Sequence, residues 1–153
     1  MARFRLSNDA AKFLESLSGF ETAFDNYYFC VIAGLSTGRS DDLPSHEIVN
    51  YFVDDYKPVK HLLVGLLISA ELKKSGISLS EKDAVRSKIK RLIDPTSPTL
   101  LTDAGIQRMN SYADGGYLQI KEKLGGKPNT TSQFLVSFAE MMNAYFETNK
   151  IFD

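Results

Sequence analysis

The stretch Lys57-Pro-Val-Lys-His-Leu-Leu-Val-Gly-Leu-Leu-Ile-Ser-Ala-Glu-Leu-Lys-Lys-Ser-Gly76 is the most apolar and best punctuated part of the chain. Pro58 suits the first turn of a helix, where a missing amide donor is no loss. Lys73, Lys74 and Gly76 are the cations and the glycine that close one. Apolar side chains from Leu62 to Leu72 spread around most of the helix circumference, so the spacing predicts a central helix over 58–75 enclosed by others. It is too short to span a bilayer, because the uncharged run from Leu62 to Ala70 has nine residues and a crossing needs about 20.

On its N-terminal side, Ser7-Asn8-Asp9 reads as the cap of a short helix with Ala10, Phe13, Leu14 and Leu17 inward and a stop at Ser18-Gly19. Thr22 caps an aromatic-rich helix to about Thr37, and Ser45 is read as the cap of a helix carrying Ile48, Val49, Phe52 and Val53 inward. On its C-terminal side, residues 81–93 make an amphipathic helix, and Asp94-Pro-Thr-Ser-Pro-Thr99 is a rigid linker. Thr102 or Asp103 caps the next helix, which Gly115-Gly116 is expected to break or kink, since paired glycines cost roughly 2 kcal/mol in a helix interior. Phe134, Leu135, Phe138, Met141, Met142, Tyr145 and Phe146 then recur at helical spacing. The resulting expectation is an all-α fold, a compact bundle of about seven helices around the apolar helix 58–75, in a single domain over 1–153.

A net charge of -1 gives no global attraction to nucleic acid, membrane or acidic substrate. The charge is nevertheless polarised along the chain: Asp9 to Asp55 is strongly acidic, and Lys73 to Arg91 strongly basic. One cysteine, Cys30, excludes an internal disulfide, and its setting in Tyr27-Tyr-Phe-Cys-Val-Ile reads as a small buried hydrophobe. The N-terminus has no apolar signal region, so a cytoplasmic location is expected.

Candidate chemistry is sparse. His46, Glu47, Asp54, Asp55 and His61 could be drawn as a metal or acid/base cluster, but no H-x-x-x-H or H-E-x-x-H pair puts two imidazoles on one face. A solvated acidic face is the simpler reading, with no catalytic residues, no metal and no cofactor. His61 reads as a core-edge histidine bonded to a neighbour, and Glu71 as a partner of Lys74 or a side chain reaching water. Lys82, Arg86 and Lys90 form an i, i+4, i+8 row beside Lys88 and Arg91, a candidate nucleic-acid-binding face. The wide stripe of the last helix makes Phe138, Met142, Tyr145 and Phe146 candidates for a protein or homodimer interface.

The order Phe24-Asp-Asn-Tyr27, Ala33-Gly-Leu-Ser-Thr-Gly-Arg39 and Tyr112-Ala-Asp-Gly-Gly-Tyr117 resembles the small accessory proteins encoded beside bacterial DNA-phosphorothioation (Dnd) and related phage-defence genes. The resemblance implies an accessory component of a DNA-modification or defence system, with no catalytic residues to carry over. The expected function is therefore that of a non-catalytic adaptor acting through protein–protein contacts within a larger assembly. The first alternative is a nucleic-acid-binding accessory protein using the basic helix 81–93, and the second a metal-dependent hydrolase.

Overall fold

Serine and threonine side chains start the helices where the sequence places them. The computed structural model describes residues 2–15, 17 and 22–148. Ser7 Oγ accepts from the Ala10 amide at the head of α1 (Asn8–Leu14). The expected stop of that helix at Ser18-Gly19 lies outside the described residues. Thr22 and Asp25 exchange side-chain-to-amide hydrogen bonds of 3.3 and 2.9 Å, a reciprocal cap for α2 (Ala23–Thr37). Thr102 Oγ1 accepts from Gly105 at 3.0 Å to start α5 (Asp103–Leu124). Between them lie α3 (Lys60–Lys74) and α4 (Lys82–Leu92), and α6 (Thr131–Thr148) follows.

The fold is mostly helical, with six α-helices among the described residues and one small sheet. This corrects the all-α expectation of about seven helices. Residues 45–53 are not a helix: Ser45–Glu47 is a strand, β2, antiparallel to β1 (Arg5–Ser7), with Leu6 opposite His46. Pairing continues past the strands, with Phe4 and Ile48–Val49 exchanging backbone hydrogen bonds of 2.9 Å. Non-local pairing wins here because Ile48 and Val49 are stiff β-branched residues that pay little to be extended. The ladder also delivers Phe4 to an aromatic cluster with Phe24, Tyr27 and Phe52, at centroid separations of 5.1–5.4 Å.

The hub of the core is the crossing of α2 and α5, which pack on each other more extensively than any other pair of elements. Helix α3 is a flanking element, not the centre. It packs on α2, α4 and a 3-10 segment over Asp54–Val59 that holds Pro58, and Leu62 on its outer side is 53% exposed. Gly76 does close it, with φ of 67°.

The glycines explain both corrections to the interior. A Cβ on Gly34 would lie 1.8 Å from the Tyr112 carbonyl oxygen, and one on Gly116 would lie 1.6 Å from that of Cys30. The two backbones touch, and α5 runs unbroken through Gly115-Gly116. Burial of Tyr27, Met109 and Tyr112 at the crossing offsets the propensity cost. Cys30 lies at the same contact, fully buried, and burial with the nearby Asp114 pushes its thiol up to about 12.

Candidate functional site

Helix α4 turns Val85, Ile89 and Leu92 toward the body of the protein, which leaves its cations outside. Lys82, Arg86, Lys90 and Arg91 are exposed and Lys88 is half-buried; among the described residues none of the five forms an ion pair. Lys82, Arg86 and Lys90 keep the row their spacing predicted. Lys88 and Arg91, three residues apart, share a different face that borders a groove against α3 and α5. The helix end is fixed there by Thr102, whose hydroxyl donates to the Arg91 carbonyl while its amide donates to that of Leu92 at 2.9 Å.

That groove, of about 390 Å³, is lined by Glu71, Lys74, Ser75, Lys88, Arg91, Leu92 and Arg108. Glu71 forms its floor and is 5% exposed. Arg108 donates to it through Nε at 2.7 Å and through a terminal nitrogen at 3.3 Å, and the Tyr112 hydroxyl donates at 2.8 Å. Burial raises the Glu71 carboxyl, but the Arg108 and Tyr112 hydrogen bonds outweigh it, and the group sits below its ordinary value. The partner is Arg108 from α5, not Lys74 or water. Lys74 instead donates to Ser40 Oγ at 2.6 Å.

On the other side of Arg108 lies a cavity of about 720 Å³, bordered by Arg3, Arg5, Asp42, Asp103, Ser111 and Asp114 among others. Asp114 is 6% exposed and accepts from the Leu43 amide at 3.0 Å. Burial raises its carboxyl to about 6 against the pull of that amide, and Asp42 and Asp41 add to the rise. Ser111 donates to Asp42 at 2.7 Å. No imidazole stands beside it as a base: His46 bonds the Asn8 side chain at 3.0 Å and His61 is exposed, not at the edge of the core. His46 and Glu47 lie on β2, so their side chains alternate across the strand. Among the described residues no group of three His, Cys, Asp or Glu side chains could hold a metal ion, and no helix is long and apolar enough to cross a membrane.

The candidate interface on α6 divides. Met142 is buried in the chain's own core, and Phe138 packs on Phe29 and Phe134 at centroid distances of 5.2 and 5.9 Å. Tyr145 is half-buried with its hydroxyl 3.4 Å from the Thr37 carbonyl, and Phe146 remains 52% exposed. Met142 is thus part of the chain's own core, and α6 covers the aromatic face of α2 through Phe134 and Phe138 on Phe29. Sequence reasoning missed Arg108 and Asp114. Neither has a local signal, because their partners lie 37 and 71 residues away. No protein-family model matches the chain, and no curated protein and no solved structure matches it either.

Proposed function

We propose that this chain is a non-catalytic accessory protein that binds the phosphate backbone of nucleic acid through α4, in the setting of a bacterial DNA-modification or phage-defence system. The single observation behind this reading is five cations against one acidic residue, Asp83, on one short helix, none of the five in an ion pair among the described residues and three of them in an outward row. Surface lysines and arginines in such excess over carboxylates repel one another, and a polyanion relieves that repulsion while releasing counterions. The resemblance to Dnd-associated accessory proteins supplies the biological setting.

Anisotropy titration of a labelled duplex at several salt concentrations tests it. Contacts to three to five phosphates give a slope of log K against log salt of roughly -3 to -5. Arg86→Glu with Lys90→Glu weakens binding about equally for unrelated sequences. No retention of any duplex at low salt removes the reading.

A second reading, contact with a protein partner or a second copy, is favoured by Phe146, half-exposed on the lip of a groove of about 450 Å³ that also holds Leu35, Leu66 and Ala70. Sedimentation at high micromolar concentration distinguishes the copies: a single-chain mass excludes the homodimer, and a larger mass that Phe146→Asp returns to one chain supports it.

A further inference from the structure

We infer that the groove between α3, α4 and α5 is a seat for a phosphomonoester, a dianionic phosphate carried on a free nucleotide or on the end of a nucleic-acid strand. The inference rests on the α4 reading for the strand end alone; the groove itself is argued from its charges.

Three helices bring positive charge to this one place: Lys74 from the end of α3, Lys88 and Arg91 from α4, Arg108 from α5. Only one carboxylate, Glu71, is among them, and Arg108 and the Tyr112 hydroxyl already occupy it. Lys74 is not needed to finish its helix. The last turn of α3 is closed by backbone amides, Ser75 to Glu71 at 3.0 Å, Gly76 to Lys73 at 3.1 Å and Ile77 to Leu72 at 2.9 Å. The polar partner of Lys74 is the neutral Ser40 hydroxyl. Four cations thus face one carboxylate: Glu71 is hydrogen-bonded to Arg108 and also feels the charge of Lys88, so the groove carries an excess of three positive charges, and Lys74, Lys88 and Arg91 form no ion pair among the described residues.

Buried pairing gives the groove its rigidity. Arg108 is held in its fork by Glu71, and its guanidinium lies over the Tyr112 ring, 5.3 Å from the centroid. The backbone hydrogen bond from Thr102 to Leu92, with the Thr102 hydroxyl on the Arg91 carbonyl, fixes the backbone of Arg91 relative to α5. The backbone positions from which Lys88 and Arg91 reach the groove are thereby set, and their unpaired side chains supply its free positive charge.

Charge and size select the ligand class. An internal phosphodiester carries one charge, whereas a phosphomonoester carries close to two at neutral pH and offers three oxygens to the cations that line the groove. At about 390 Å³ the groove lies toward the small end of ligand sites, which run from roughly 300 to 1,000 Å³. Its apolar lining is Leu92, and no aromatic ring lines it for a base to stack on, so the phosphate is the group recognised.

The test compares two single strands of one sequence, one with a 5′-phosphate and one with a 5′-hydroxyl, together with a nucleoside monophosphate, on the full chain. The phosphorylated strand is expected to bind about tenfold more tightly. Lys88→Ala with Arg91→Ala should abolish that preference, while Lys82→Ala with Arg86→Ala weakens both strands alike and keeps it. Because neither pair is in the core, circular dichroism of each variant should match the parent, and Lys74→Ala, from another helix, should reduce the preference as an independent check. Equal, salt-sensitive affinity for the two strands overturns the groove and leaves the α4 reading standing. Binding of the monophosphate, lost in the Lys88/Arg91 variant, with no binding of either strand supports the groove with a free nucleotide as source, and the duplex titration then decides the α4 reading separately. Absence of binding in every arm overturns the groove.

Discussion

Glu71 and Asp114 are both nearly inaccessible carboxylates, 5 and 6% exposed, yet their surroundings drive them in opposite directions. Glu71 meets a guanidinium and a phenol hydroxyl from the adjacent helix, and it stays ionised more readily than in water. Asp114 meets one backbone amide and two further carboxylates, Asp41 and Asp42, and holds its proton up to about pH 6. Both sites depend on α5, which contributes Arg108 and Tyr112 to one and Asp114 to the other. Burial sets the penalty in each case, and the number of donors decides whether it is repaid.

Removing a donor from the compensated site should have the largest effect. Arg108→Ala leaves Glu71 buried with the Tyr112 hydroxyl alone, a situation that costs about 3–5 kcal/mol. Urea denaturation at pH 7 should show that loss, and it should shrink toward pH 4 as Glu71 takes up a proton. An equal loss at both pH values would mean that packing, not the stranded charge, is responsible.

The uncompensated site should respond the other way. A carboxyl moved from 3.8 to about 6 represents on the order of 2–3 kcal/mol disfavouring its charged form. Asp114→Asn should therefore stabilise the protein by about 2 kcal/mol at pH 7, with the gain fading between pH 6 and 4 as the native aspartate becomes neutral. The linkage has opposite signs in the two places. Near its ordinary value of 4.5, Glu71 binds fewer protons folded than unfolded, so its contribution is present above that value and is lost as pH falls through the folded one. Asp114 binds more protons when folded between about 4 and 6, so its contribution to stability grows as pH falls through that window.

A smaller loss should follow Tyr112→Phe, which removes one hydrogen bond to a charged group and leaves Arg108 in place, at about 1.5 kcal/mol. The smallest effect is expected for Asp41→Asn. Asp41 is exposed, so global stability should change by less than about 0.5 kcal/mol. The Asp114 titration followed by carboxyl-carbon NMR should still move to lower pH, and an unmoved midpoint would assign the rise to burial and Asp42 alone.

Local order along the chain determined much of the helical part. Caps at Ser7, Thr22 and Thr102, the glycine stop at Gly76 and the apolar and basic faces of α4 all rest on interactions within a few residues, which a spacing rule captures. The burial of Cys30 was legible for the same reason, from the apolar residues around it. The basic row of the candidate site was legible too, while the groove behind it was not.

What only the tertiary structure decided involves partners far apart in sequence. Three-residue strands are too short to show a period of two, and β2 exists because the N-terminal segment lies beside it. Gly115-Gly116 looks like a helix breaker until the backbone of α2 is seen against it, at a distance that admits no side chain. The apolar run of α3 suggested a centre, but the tightest crossing went to the helices whose glycines let their backbones touch. Arg108 gained its meaning from Glu71, and Asp114 from the loop that carries Asp41, Asp42 and the Leu43 amide. Spacing along a helix fixes which residues share a face, whereas the charge and dielectric that a face meets are set by whatever packs against it.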